Sequence, residues 1–318
     1  MTTSTSVSQF AAKTNVDGAF VRQAYTIRDR ITADGSSGFP AEPGRYHLYV
    51  SLACPWAHRS VIVRRLLGLE DVVSMSVVDP IRDERGWAFR DGPGYSIDPV
   101  NGFHFLSEAY LATDPDYTGR YTVPCIWDRV GNRLVTNNYP DITIDFETQF
   151  TAYQRTDPPD LYPIELRDEI DFVNAVVYED VNNGVYKAGF ATTQQSYEEA
   201  FDALFVRLDW LEERLSRQRF LVGDEVTEAD VRLFTTLARF DAVYYGHFKC
   251  NLRRLVDYPN LWAYARDLYQ HLGFGDTVSF DHIKRHYYCT HGQINPTRIV
   301  PKGPAIDWSP GPQPRSLS

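Results

Sequence analysis

The stretch Tyr46-His-Leu-Tyr-Val-Ser-Leu-Ala-Cys-Pro-Trp-Ala-His-Arg59 decides the fold. Its opening residues, Tyr46 to Leu52, are aromatic and β-branched enough for a strand. Pro55 sits where proline is favoured, in the first turn of a helix, and that helix runs to about Gly68, a natural C-cap. A strand that turns into a helix at Cys-Pro places the Cys54 sulfur at a helix N-terminus. Unpaired N–H groups and the macrodipole favour a thiolate there, which is a nucleophile at neutral pH. The competing reading is a packed structural cysteine. Alanine at 57 leaves no second thiol inside the motif, so a mixed disulfide on Cys54 has to be cleared by an external thiol. His58 and Arg59 either add positive potential beside the sulfur or are packed or solvated.

Downstream, Val72 to Val78 reads as a second strand, buried and parallel to the first. Residues 80–118 break the pattern with Gly and Pro punctuation from Gly86 to Pro99. They are too long for a simple connection, and so form a functional insertion. Tyr121 to Asp128 and Arg133 to Asn137 resume as strands around a tight Arg-Val-Gly-Asn turn, followed by a helix near Asp141 to Phe150. Pro124 removes a ladder donor, which calls for a strand start, an edge or a cis bond. We expect a cis Val123-Pro124 peptide facing Cys54 and offering backbone groups to a thiol ligand.

Upstream, residues 1–44 are polar with Gly and Pro clusters, an irregular leader lying over the fold. After Asp157-Pro-Pro-Asp-Leu-Tyr-Pro163 the texture becomes helical through Ile170 to Val181, Tyr197 to Leu215 and Val231 to Tyr245, with a last helix from about Leu261 to Leu272. Thr227-Glu-Ala-Asp230 resembles a capping box with Asp in place of Glu. An aromatic, His-rich tail follows to Ser318. The expected domains are 45–155 (α/β, with the insertion), 160–290 (all-helical) and a tail over 291–318.

The 318 residues leave room for about two domains. Hydrophobic residues at 43% argue for packed cores rather than disorder. A formal charge of −10 repels phosphate backbones and anionic membranes, so nucleic acid and membrane are not expected partners. No apolar run approaches bilayer length and Met1 to Gln9 lacks signal-peptide character, which reads as cytoplasmic. Four scattered cysteines, Cys54, Cys125, Cys250 and Cys289, do not make a disulfide framework.

Several long motifs then occur in one order: Cys54-Pro-Trp-Ala-His-Arg59, Gly86-Trp87, Gly119-Arg120-Tyr-Thr-Val-Pro124 and Asn182-Asn-Gly-Val-Tyr-Lys-Ala-Gly-Phe190. His282-Ile-Lys-Arg-His-Tyr-Tyr288, Ile294-Asn-Pro296 and Ile299-Val-Pro-Lys-Gly-Pro304 complete the series. Together they resemble the Xi-class glutathione transferases, the glutathionyl-hydroquinone reductases, over residues 40–305. The resemblance implies a thioredoxin-like domain followed by an all-α domain (the glutathione transferase fold), with the active site between them, and a homodimer. It also implies a reaction in which Cys54 attacks the sulfur of a thiol-hydroquinone conjugate, releases the hydroquinone and is regenerated by a second thiol. By the same resemblance Trp87, Arg120, Val123 and Pro124 line the thiol site, while Tyr186 with Tyr287 or Tyr288 holds the small aromatic conjugate.

One position departs from the pattern. Where the family has Glu-Ser to hold the γ-glutamyl end of glutathione, alignment on Val135 and Ile142 puts Asn138-Tyr139. Loss of a charge-assisted contact worth roughly 1.5 to 3 kcal/mol weakens glutathione tens-fold unless Asp141 compensates. The expectation is a thiol without a γ-glutamyl zwitterion, with mycothiol the leading candidate and Asn138 and Tyr139 meeting its sugar hydroxyls. Three rivals stand beside this reading: a metal held by His282, His286, Cys289 and His291, a non-catalytic binding protein, and conventional glutathione transfer. No metal is expected.

Overall fold

The computed structural model describes residues 13–311. The readings on Met1 to Gln9, and the last residues of the tail, lie outside the described part. A short hairpin, β1 (Lys13–Thr14) and β2 (Phe20–Val21), precedes the sheet. The four-stranded sheet has the order β4-β3-β5-β6, built from β3 (Tyr46–Val50), β4 (Ser74–Val77), β5 (Cys125–Asp128) and β6 (Arg133–Thr136). β3 pairs parallel to β4 and antiparallel to β5, so Leu48 lies beside both Met75 and Ile126. All of β3 is buried, as befits an inner strand covered on both faces.

Helix α1 (Pro55–Leu66) starts where Cys54 leaves the extended conformation, with proline in the first turn. It stops at Gly68, whose φ of +69° is costly for any residue with a Cβ. Helix α3 (Tyr139–Thr148) packs against α1. It begins two residues earlier than the sequence pattern indicates, because Pro140 sits in its first turn.

The third strand starts only at Cys125. Tyr121–Pro124 stays irregular because the Tyr110 hydroxyl takes both sides of Thr122, donating to its carbonyl at 2.7 Å and accepting from its N–H at 3.2 Å. The Val123-Pro124 peptide is cis. The insertion over 80–118 holds α2 (Leu106–Thr113), which packs on β6.

The second half is helical: α4 (Arg167–Val177), α5 (Gly184–Gly189), α6 (Gln194–Leu215), α7 (Glu228–Arg239), α8 (Tyr245–His247), α9 (Pro259–Gln270) and α10 (Phe280–Thr290). The start of α7 is fixed as the capping pattern indicates. Buried Asp230 accepts from Thr227 N at 2.8 Å, and also from Leu221 N and the Tyr264 hydroxyl. Two π-helical turns, at Tyr178–Asn182 and Phe240–Tyr244, interrupt the helices. Helix α10 lies beyond the last helix read from sequence but inside the expected helical domain; it runs over Phe280–Thr290 and closes back on the insertion. His282 Nε2 lies 2.8 Å from the Pro93 carbonyl and His286 Nδ1 2.7 Å from the Pro80 carbonyl.

Candidate active site

Cys54 is half-buried at the floor of a cleft between the two halves. The cavity volume of the cleft is about 140 Å³. Its thiol donates to the Val123 carbonyl at 3.5 Å, which seats the sulfur beside the cis peptide. Arg239, fully buried on α7, holds the turn that carries Cys54. Its guanidinium donates to Ala53 O at 2.9 Å, Leu52 O at 3.0 Å and Thr235 O at 2.7 Å. It also faces His58 Nδ1 at 3.1 Å. Arginine can only donate, so Nδ1 accepts and the proton sits on Nε2, which donates to Thr277 Oγ1 at 2.8 Å. His58 is thereby fixed as a neutral ring, and burial pushes its pKa well down. Arg59 is buried too, bonded to Asn182 Oδ1 at 2.8 Å and lying over the Trp56 ring. Neither residue presents a free charge to the sulfur.

The thiolate expectation for Cys54 needs correcting. Burial pushes its thiol pKa up, and this outweighs the lowering by the Ala57 N–H, Arg239, the Trp56 N–H and Arg22. A helix start favours a thiolate only as far as desolvation allows. In the free protein Cys54 is a thiol whose proton points at Val123 O.

Across the cleft, three hydroxyls from distant parts of the chain meet. Tyr186 pairs with Tyr287, Tyr244 lies 3.0 Å from Tyr287, and Tyr186 lies 3.4 Å from Tyr244. Burial raises the pKa of each, so all three are protonated at neutral pH. Tyr186 and Tyr287 line the cleft. Tyr288 does not: its ring meets His247 edge-on at 4.8 Å and its hydroxyl lies 3.5 Å from Ala242 O. Trp87 forms another wall, stacked on His286 at 5.0 Å with the Arg82 guanidinium 4.9 Å from its ring centroid.

Of the residues expected from sequence, the structure brings Cys54, Trp87, Arg120, Val123, Tyr186 and Tyr287 to one cleft. Pro124 stands behind Val123. Asn138 and Tyr139 are buried off the cleft rather than lining it. The Tyr139 ring packs 4.8 Å from Trp56 and 5.3 Å from Tyr25, and Asn138 Nδ2 donates to Asp141 Oδ2 at 2.6 Å. Asp141 is also 3.6 Å from Arg30, so it is already engaged. Sequence reasoning passed over Arg22 and Tyr25 of the leader, Arg82, Tyr244 and Arg239. Arg22 donates to Asn183 Oδ1 at 2.7 Å and lies between the Trp56 and Tyr186 rings. Among the described residues, no group of three or more His, Cys, Asp or Glu is arranged to hold a metal ion. The ring nitrogens of His282 and His286 are used on backbone carbonyls instead.

A sheet domain whose first helix opens on a lone cysteine, docked across a cleft on a helical domain, defines the class of glutathione transferase folds. Family models agree: the glutathione S-transferase N-terminal domain matches residues 53–149 and the C-terminal domain residues 194–267. The glutathionyl-hydroquinone reductase PcpF of Sphingobium chlorophenolicum is 51% identical, over 91% of this chain and 90% of its own length. The glutathione transferase Xi of Phanerochaete chrysosporium superposes with a TM-score of 0.91 at 49% identity, covering 94% of this chain and 96% of that one. The glutathione-bound YqjG of Escherichia coli K-12 gives 0.88 at 48% identity, covering 94% and 98%. The chain belongs to the glutathione S-transferase family, in its Xi class of glutathionyl-hydroquinone reductases.

Proposed function

We propose that this chain reduces thiol-hydroquinone conjugates through a mixed disulfide on Cys54, as an enzyme of the glutathionyl-hydroquinone reductase type. The observation that carries the reading is a cleft whose lining includes one cysteine, Cys54, opposite two protonated tyrosine hydroxyls. Cys54 attacks the conjugate's sulfur, and a sulfur–sulfur bond forms as the carbon–sulfur bond breaks. The electron pair stays on the ring carbon, which takes up the proton that Cys54 gave up, so hydroquinone leaves. A second thiol, as thiolate, then attacks the thiol-derived sulfur of the mixed disulfide. Cys54 is expelled, and the two external thiols depart as a disulfide. Two sulfurs, that of the conjugate's thioether and that of the second thiol, are thus oxidised to the disulfide, and one aryl carbon is reduced. Tyr186 and Tyr287 donate to the hydroquinone oxygens as charge builds on the ring.

Glutathione is the thiol of the curated relatives by their names. For this chain the reading goes one step further, to mycothiol. Asn138-Tyr139 replaces the family's Glu-Ser, Asp141 is engaged by Asn138 and Arg30, and no carboxylate occurs among the described residues lining the cleft. The γ-glutamyl ammonium therefore lacks the anionic partner it has elsewhere, whereas mycothiol carries no ammonium. The test is kcat/KM for matched conjugates of the two thiols. A mycothiol conjugate turned over tens-fold faster supports the reading, and one turned over no faster than its glutathione counterpart overturns it. The same reading takes the protein as a cytoplasmic homodimer, to be checked by light scattering. In its support, all four cysteines are free and no described helix is long and apolar enough to cross a membrane.

A further inference from the structure

Beside the Cys54 cleft lies a second chamber, walled by the leader segment from Phe20 to Thr26, by Tyr117 to Thr122 and by Asn137. The two spaces share Phe20, Arg22, Tyr25, Arg120 and Thr122, so they adjoin. Three of the chamber's residues carry a buried polar atom without a partner: Arg22 Nη2, Gln23 Oε1 and Asn137 Oδ1. Native interiors rarely leave such atoms unpaired, and three on one small wall call for a ligand or bound water. Two of these side chains, Asn137 and Arg22, are anchored through other atoms. Asn137 Nδ2 donates to Thr122 Oγ1 at 3.2 Å and Arg22 Nε to Asn183 at 2.7 Å, so the orphaned atoms are the ends left over for something else. The backbone is fixed as well, since Asn137 N donates to Ile27 O at 3.0 Å and ties the leader to the end of β6.

We propose that this chamber seats the polar tail of the thiol, and that it takes a neutral, hydroxyl-rich tail of glycosidic type. The inference rests on the reading of Cys54 as the carrier of a mixed disulfide. Two amide oxygens accept from sugar hydroxyls, and the Arg22 guanidinium donates to a hydroxyl or amide oxygen. The chamber has two guanidinium side chains, Arg22 and Arg120, and no carboxylate among its described lining residues, so an ammonium finds no anionic partner there. The place where the family's Glu-Ser would act is instead closed by the Tyr25–Tyr139 ring contact. The thiol specificity of this chain then lies partly in its leader, outside the part of the chain that the two family models match, and partly in Arg120 and Asn137 inside the N-terminal domain.

The test follows mixed-disulfide formation on Cys54 by intact mass with three symmetrical disulfides: mycothiol disulfide, glutathione disulfide and N-acetylcysteine disulfide, which has no tail. The readout is the mycothiol to N-acetylcysteine rate ratio within each protein, which cancels any loss of folded material. Gln23→Ala and Asn137→Ala are each expected to lower that ratio about tenfold. A ratio that both variants leave unchanged overturns the tail site, as does a selective loss of the glutathione reaction. Absence of any adduct on Cys54 in the unmodified protein would instead overturn the mixed-disulfide reading beneath it.

Discussion

The two walls of the cleft are made in different ways. The sulfur wall is local: strand, turn, Cys54 and proline-led helix follow one another directly, and Val123 lies on the edge of the same sheet domain. The hydroxyl wall is assembled from Tyr186, Tyr244 and Tyr287, which come from three separate helical segments. Backbone geometry at a helix start is enough to place the thiol, though its charge state depends on what buries it. A set of protonated donors needs a packed interior, because it is burial that keeps the phenols neutral. Arg239 joins the walls: it belongs to α7 of the helical half but bonds the carbonyls of the turn bearing Cys54.

This contrast can be broken in order of expected effect. Cys54→Ser should remove reductase turnover by about a thousandfold or more, since the nucleophile has no substitute in the cleft. The loss of hydroquinone release checks this by chromatography. Tyr287→Phe and Tyr186→Phe should each lower kcat by about a hundredfold, in the range for removal of one donor to developing charge. The double variant should lose less than the product of the singles, because the hydroxyls act as a unit. Tyr244→Phe, one step behind the cleft, should cost about tenfold or less.

Arg239→Met should destabilise the protein by about 3 kcal/mol, because it leaves two buried turn carbonyls without a donor; chemical denaturation reads this directly. The same variant should slow alkylation of Cys54, since a positive charge that favours its thiolate is gone. The smallest effect lies away from the cleft, at the joint between the domains. Glu147 on α3 accepts from Leu161 N at 3.0 Å, and burial raises its pKa to about 7. The ordinary value is 4.5, so between that pH and about 7 the folded state holds a proton that the unfolded state has released. Stability therefore falls as pH rises through this window. Glu147→Gln should flatten that slope and raise Tm by a few degrees at pH 8, which melting curves at several pH values will show.

Much of the sulfur wall was legible because its signals are short-range: a proline after a cysteine, a strand-forming run before it, and a glycine at the helix end, which the structure shows at φ +69°. The charge state of Cys54 was not, since desolvation depends on what the helical half lays over it, and no local pattern records that. Tyr186 and Tyr287 emerged through motif resemblance, whereas Tyr244, embedded in an apolar helix, gave no separate signal. Tyr288 is adjacent to Tyr287 in sequence yet points away, because successive helical residues face different directions. The leader was read as irregular covering. With only two short strands it offers no periodicity, and its role comes from where Arg22, Gln23 and Tyr25 land. Asn138 and Tyr139 were expected from the resemblance to meet the thiol, but packing between Trp56 and Tyr25 has taken the Tyr139 ring for the interior.

The central claim is that Cys54 takes the thiol from the conjugate before any second thiol acts. Single-turnover intact-mass analysis with a thiol-hydroquinone conjugate and no free thiol tests it most directly. The account predicts one adduct of the thiol's mass on Cys54 and an equal amount of hydroquinone released, with neither in Cys54→Ser. Hydroquinone release without an adduct, or an adduct mapped to Cys125, Cys250 or Cys289, would contradict it.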